Sequence, residues 1–134
     1  MRWGRAGAVA LALLAAACAH PGRRAEAPAE ARPAREVGLA SYYARALEGQ
    51  RTASGVPYDG RAMTCAHRWH AFGTLLRVVD LETGRSVVVR VTDRGPFARG
   101  RVIDLSYAAA RALGILERGV VRVAVEVVRA AERG

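Results

Sequence analysis

From Val37 onward the large apolar residues come in short runs with a period near two, the spacing that puts alternate side chains on opposite faces of a strand. No stretch sustains the 3.6-residue period of a long amphipathic helix. Residues 37–44, 74–80, 86–93, 101–104 and 120–128 read as strands. Leu81-Glu82-Thr83-Gly84-Arg85 joins the second and third, with Gly84 suited to a hairpin loop. The unbroken run Val87-Val88-Val89 predicts a strand buried on both faces, as in one crossing a closed barrel. One helix is predicted over Tyr107 to Leu113: Ser106 is a good N-cap, the alanines favour helix, and Gly114 suits the left-handed residue that ends it. About six strands and one short helix in roughly 95 residues describe a mainly β protein, a small β-barrel.

The first third of the chain has a different pattern. Arg2 and Arg5 precede an apolar stretch from Ala6 to Ala16, and small residues lead into Cys18. This is the layout of a secretory signal peptide over residues 1–17, and it is too short for an ordinary membrane span. Leu14-Ala15-Ala16-Ala17-Cys18 resembles a bacterial lipobox, with leucine one place further from the cysteine than usual. Cys18 is therefore the predicted lipidation site, and the anchor the predicted route to the membrane. Ala19 gives no inner-membrane retention signal of the kind that aspartate there provides, which inclines the expectation to the outer membrane. Residues 18–36 hold alanine, proline, arginine and glutamate without a large apolar side chain, the composition of a flexible tether. The barrel domain is expected over 37–129, with a tail over 130–134.

Composition adds little to this picture. The 134 residues leave room for one domain, and the 51% apolar content is inflated by early alanines. All 21 basic residues are arginine, giving a net charge of +9 that suits any polyanion: nucleic acid, anionic lipid or carboxylate-bearing cell-wall glycan. The export signal argues against nucleic acid. Lipidation of Cys18 leaves Cys65 without a disulfide partner, so Cys65 reads as a buried thiol.

Several separated segments carry more specific information: Gly38-Leu39-Ala40-Ser41-Tyr42-Tyr43, Thr52-Ala53-Ser54-Gly55, Met63-Thr64-Cys65-Ala66-His67, Phe72-Gly73-Thr74, and Asp93-Arg94-Gly95-Pro96-Phe97 running on to Arg101-Val102-Ile103-Asp104-Leu105-Ser106. In order and spacing they resemble the barrel domain of the rare lipoprotein A family, over Gly38 to about Val127. The resemblance implies a six-stranded double-psi β-barrel in the cell envelope. It further implies lytic transglycosylase chemistry on peptidoglycan glycan strands stripped of stem peptides, with no cofactor and with cell-division proteins as possible partners. The family's catalytic pattern carries over to His67 and Asp93. Its glutamate after the Thr-Ala-Ser-Gly turn does not, because Val56 stands there. The alternative is thus a glycan-binding module with impaired catalysis, and a partner-binding barrel is a third class.

An ordinary glycosidase uses two carboxyl groups. A lytic transglycosylase uses the sugar's own 6-hydroxyl as nucleophile, so one acid/base group can serve. Asp93, ending a valine run, is the candidate: burial would raise its pKa and Arg94 would lower it. Its other reading is a turn residue capping backbone amides. His67 either orients Asp93 or a sugar hydroxyl, or is a hydrogen-bonded structural histidine. Arg94 and Arg101 suit the lactyl carboxylates of muramic acid. Asp104 reads as substrate-binding or as a helix-entry cap, and Tyr42, Tyr43 and Tyr58 as cleft lining or packing. Cys65, His67 and Asp93 lack metal-ligand spacing, and no metal is expected.

Overall fold

The computed structural model describes residues 32–132. The predicted signal peptide, Cys18 and most of the predicted tether lie outside the described residues. Among the described residues no helix is long and apolar enough to cross a membrane.

Six strands and one α-helix follow in chain order: β1 (Arg35–Tyr42), β2 (Thr64–His67), β3 (Leu75–Asp80), β4 (Ser86–Asp93), β5 (Arg101–Leu105), α1 (Tyr107–Leu113) and β6 (Val121–Arg129). A short 3-10 turn, Arg45–Leu47, follows β1. The strands close into a barrel in the order β1-β5-β2-β4-β3-β6. The β1/β5 and β2/β4 pairs are parallel and the other four antiparallel. Parallel neighbours require a connection that crosses over the barrel, and two such crossings are what the double-psi arrangement provides.

β4 shows how the sequence makes the wall. Its residues alternate from Ser86 to Val91, with Val87, Val89 and Val91 buried and Val88 40% exposed. The expectation of burial on both faces is therefore corrected: a barrel wall has one inner face, and Val88 lies on the other. The inner residues of β4 meet Leu76 and Val78 from β3, Ile103 and Leu105 from β5, and Val121, Val123 and Val125 from β6 in one cluster. Each of these side chains contributes roughly 1.5–3 kcal/mol over leaving it in water. Cys65 joins them as a buried free thiol, held protonated because burial raises its pKa.

α1 forms where the sequence predicts, and closes on the same core with Ala109, Ala110 and Leu113. Ser106 Oγ accepts from the Ala109 amide at 3.2 Å, and Gly114 takes φ 82° beyond the last turn. β2 carries no clear strand signal in the sequence, and β1 begins at Arg35, two residues before the expected domain boundary at Val37. The correction is physical. Arg35 and Glu36 pair in register with Glu126 and Val125 of β6, so the barrel recruits backbone that carries no hydrophobic signal.

Candidate active site

One cleft, of about 390 Å³, lies across the ends of four strands and is lined by Tyr42, Ala66, Asp93 and Asp104 among others. The register explains the arrangement. Ala66 of β2 pairs with Asp93 on one side and with Asp104 on the other, so the two aspartates stand one strand apart with a methyl group between them. Spacing between strands puts their Cα atoms on the order of 9–10 Å apart. A register shift between Cys65 and Ala66 falls at this point, the kind of irregularity that re-aims side chains beside functional sites.

Asp93 accepts three hydrogen bonds. Its Oδ1 takes the Ala53 amide at 2.8 Å and the Arg94 amide at 2.9 Å, and its Oδ2 takes the Tyr43 hydroxyl. Burial first, and the bond to Asp93 second, raise the Tyr43 pKa well above that of an ordinary phenol, so Tyr43 stays a donor. Both sequence readings of Asp93 are thus partly visible: it holds turn amides, and it also faces the cleft. Among the described residues it forms no ion pair, whereas Asp104 is tied to Arg101 Nη2 at 2.5 Å and accepts from Ser41 Oγ. Asp104 lies in β5 and does not cap α1; Ser106 does.

The Thr52–Val56 turn is docked against β4. The Ser54 amide donates to the Thr92 carbonyl at 3.1 Å, and Thr52 closes the turn by donating Oγ1 to the Val56 carbonyl at 2.6 Å. Val56, at the end of this turn, is exposed.

Of the two readings of His67, the structure shows the hydrogen-bonded structural histidine. Its imidazole is fully buried, and its partners are Glu36 Oε1, 2.8 Å from Nε2, and the amides of Trp69 and His70, which donate to Nδ1 at 3.2 and 3.3 Å. Two donors at Nδ1 place the proton on Nε2, the neutral tautomer, and burial lowers the His67 pKa accordingly. It neither bonds Asp93 nor lines the cleft. Its effect on the site runs through Arg94, whose Nη1 donates to the carbonyls of His67 at 3.2 Å and His70 at 2.8 Å while the guanidinium lies 4.0 Å over the Phe72 ring.

The remaining predicted residues reach the cleft with their polar ends engaged. Tyr42 donates to the Leu116 carbonyl at 2.8 Å, Tyr58 accepts the Tyr107 amide at 3.0 Å, and the Tyr43 and Tyr58 rings pack with centroids 4.5 Å apart. Several lining residues had no role assigned from sequence, Arg51 and Phe97 among them. Phe97 belongs to the Asp93–Phe97 segment that carries the resemblance, but nothing in the sequence marks its side chain, or that of Arg51, as open to the cleft. Gly95 turns the chain between Asp93 and Phe97 at φ 117°, a conformation that favours glycine.

A closed six-stranded barrel with two parallel pairs, opening into an aspartate-bearing cleft, defines a double-psi β-barrel protein. Likeness to solved structures agrees: a Streptomyces papain inhibitor matches with a TM-score of 0.58 and 30% identity over 71% of this chain and 94% of that one. An expansin of Clavibacter michiganensis matches with a TM-score of 0.55 and 28% identity over 74% of this chain and 52% of that one. A family model described as lytic transglycolase matches residues 35–125. The chain belongs to this family, in its rare lipoprotein A branch. Proteins named endolytic peptidoglycan transglycosylase RlpA in Pseudomonas aeruginosa, and probable endolytic peptidoglycan transglycosylase RlpA in Aquifex aeolicus, are 52% and 48% identical to it. The matches cover 72% and 69% of this chain, which spans only 28% and 41% of those relatives.

Proposed function

We propose that this chain is a peptidoglycan transglycosylase of the cell envelope that cuts within glycan strands freed of stem peptides and leaves 1,6-anhydro ends. The observation that carries the reading is Asp93, a carboxylate in the cleft that forms no ion pair among the described residues and is fixed by three donors. Hydrolysis with two carboxyl groups would need Asp104 as the second, and Arg101 and Ser41 occupy it. The intramolecular route needs one group. Asp93 takes the proton from the 6-hydroxyl as that oxygen attacks C1, the C1–O4 bond breaks, and the same proton passes to O4 of the departing sugar. Tyr43 holds the carboxylate in place through both transfers. The names of the relatives support the same chemistry.

Digestion of purified sacculi, both intact and stripped of stem peptides by an amidase, tests this. Mass spectrometry should find 1,6-anhydro ends from the stripped sacculi, and Asp93→Asn should lower their yield by about 10²–10⁴-fold. Absence of such ends at high enzyme concentration, with strands still bound, would establish a binding module instead.

The proposal includes anchoring through acyl chains on Cys18, facing the periplasm, with the outer membrane favoured and septal division proteins as candidate partners. Cys18→Ser should move the protein from the membrane to the soluble fraction. Wild-type protein that is already soluble and unacylated would refute the anchor.

A further inference from the structure

The cleft sorts its polar side chains into those already engaged and those still unpartnered. Of its three arginines, Arg94 is held by two carbonyls and stacked on Phe72, and Arg101 is held by Asp104 and Ser41. Arg51 lines the same cleft, is exposed, and has no side-chain hydrogen bond or ion pair among the described residues. Its backbone is nevertheless fixed by a bridge to Pro57, two residues along from the Ala53 amide that holds Asp93. The aromatic residues divide similarly. Tyr42, Tyr43 and Tyr58 are packed and hydrogen-bonded, whereas Phe97, also lining the cleft, is 83% exposed.

We infer that Arg51 and Phe97 form the recognition subsite for a sugar that bears its own carboxylate, the lactyl carboxyl of muramic acid, and this inference rests on the glycan-strand reading above. A pyranose ring presents a face of C–H groups that covers a flat apolar ring, and Phe97 is the one large apolar side chain of this cleft left in water. A free guanidinium pairs with a carboxylate through two parallel N–H bonds. Arg101 and Asp104 neutralise each other, and Arg94 is spent on carbonyls beside Asp93, so Arg51 is the cation left to receive a ligand's charge.

The assignment carries a specificity. While a stem peptide is attached, the lactyl carboxyl is an amide and carries no charge; its removal creates the anion. The peptide has carboxylates of its own, so the two sources must be separated by experiment. Binding of the full chain is measured in an Asp93→Asn background, which prevents cleavage, against three ligands: stripped strands, stripped strands whose lactyl carboxyls are methylamidated, and strands still bearing stem peptides. The parent should bind the first about tenfold more tightly than either of the others, and Arg51→Gln should erase that difference while leaving the thermal midpoint in place. Arg51→Lys should keep part of it. Phe97→Ala should weaken all three ligands alike, and Phe97→Tyr should restore them.

Each result decides the matter. Arg51→Gln that weakens all ligands equally, weakens none, or weakens only peptide-bearing strands overturns the role given to Arg51. Phe97→Ala that binds like its parent overturns the platform. Selective binding of stripped strands by a wild type that releases no anhydro ends upholds the subsite and removes the enzymatic reading. A parent that binds none of the three ligands overturns both.

Discussion

Val56 is 57% exposed on the turn whose Ala53 amide holds Asp93, at the position where the family pattern has glutamate. A glutamate side chain there needs no space from the core. It would add a second carboxylate near the first, either raising the proton affinity of one of them or stabilising the oxocarbenium-like transition state. Val56→Glu is therefore expected to raise the yield of anhydro ends by about tenfold, below the full 10²–10⁴ of a general acid/base group. Val56→Glu combined with Asp93→Asn should be inactive, because the added group works only beside the proton carrier. Unchanged or reduced turnover in Val56→Glu would show that Asp93 needs no second carboxylate. Asp93 stood out as a candidate from its place at the end of a valine run next to a glycine-proline turn, and the structure puts it in the cleft. Its partners were not legible, since Tyr43 and Ala53 lie 50 and 40 residues away in sequence. The place of Arg51 and the exposure of Phe97 were invisible for a related reason: what distinguishes these side chains is the lack of a partner, which only the folded chain defines.

The first two residues of β1 connect an element to the site. Glu36 accepts from His67, His67 receives the amides of the following loop, and the carbonyls of that loop hold Arg94. Protonating Nδ1 of His67 would remove both amide bonds at once. Burial lowers the pKa of His67, and burial together with the nearby His67 pushes His70 down to about 4. Both imidazoles thus bind protons more weakly in the folded chain than in the unfolded one, whose value is near 6.5. The stability they confer is complete above that value and is lost as pH falls below it toward the folded values. The thermal midpoint should be level above pH 7 and decline between about pH 6.5 and 4.5, before ordinary carboxyl groups take up protons. His70→Gln should flatten part of the decline. A midpoint constant across that window would show that the 67–70 loop does not depend on a neutral imidazole. The sequence could not reveal this linkage, because Arg35 and Glu36 look like the polar residues before them and join β1 only through pairing with β6.

For the whole molecule, the strand pattern and both helix caps were readable because local periodicity and capping chemistry act within a few residues. β2 was not, since Thr64–His67 is four residues long and its apolar members are small. The barrel's closure was legible only through the family resemblance, as no local signal states which strands are neighbours. That closure has a further consequence. β1 and β6 are the first and last strands, and they pair antiparallel, Arg35 opposite Glu126, so the domain's entry and exit lie side by side. A domain built this way can be spliced into a longer polypeptide at a single point, with new segments grafted before or after it and no strand of the wall disturbed. The matched segment makes up 28% and 41% of the length of two relatives, the arrangement such a splice allows.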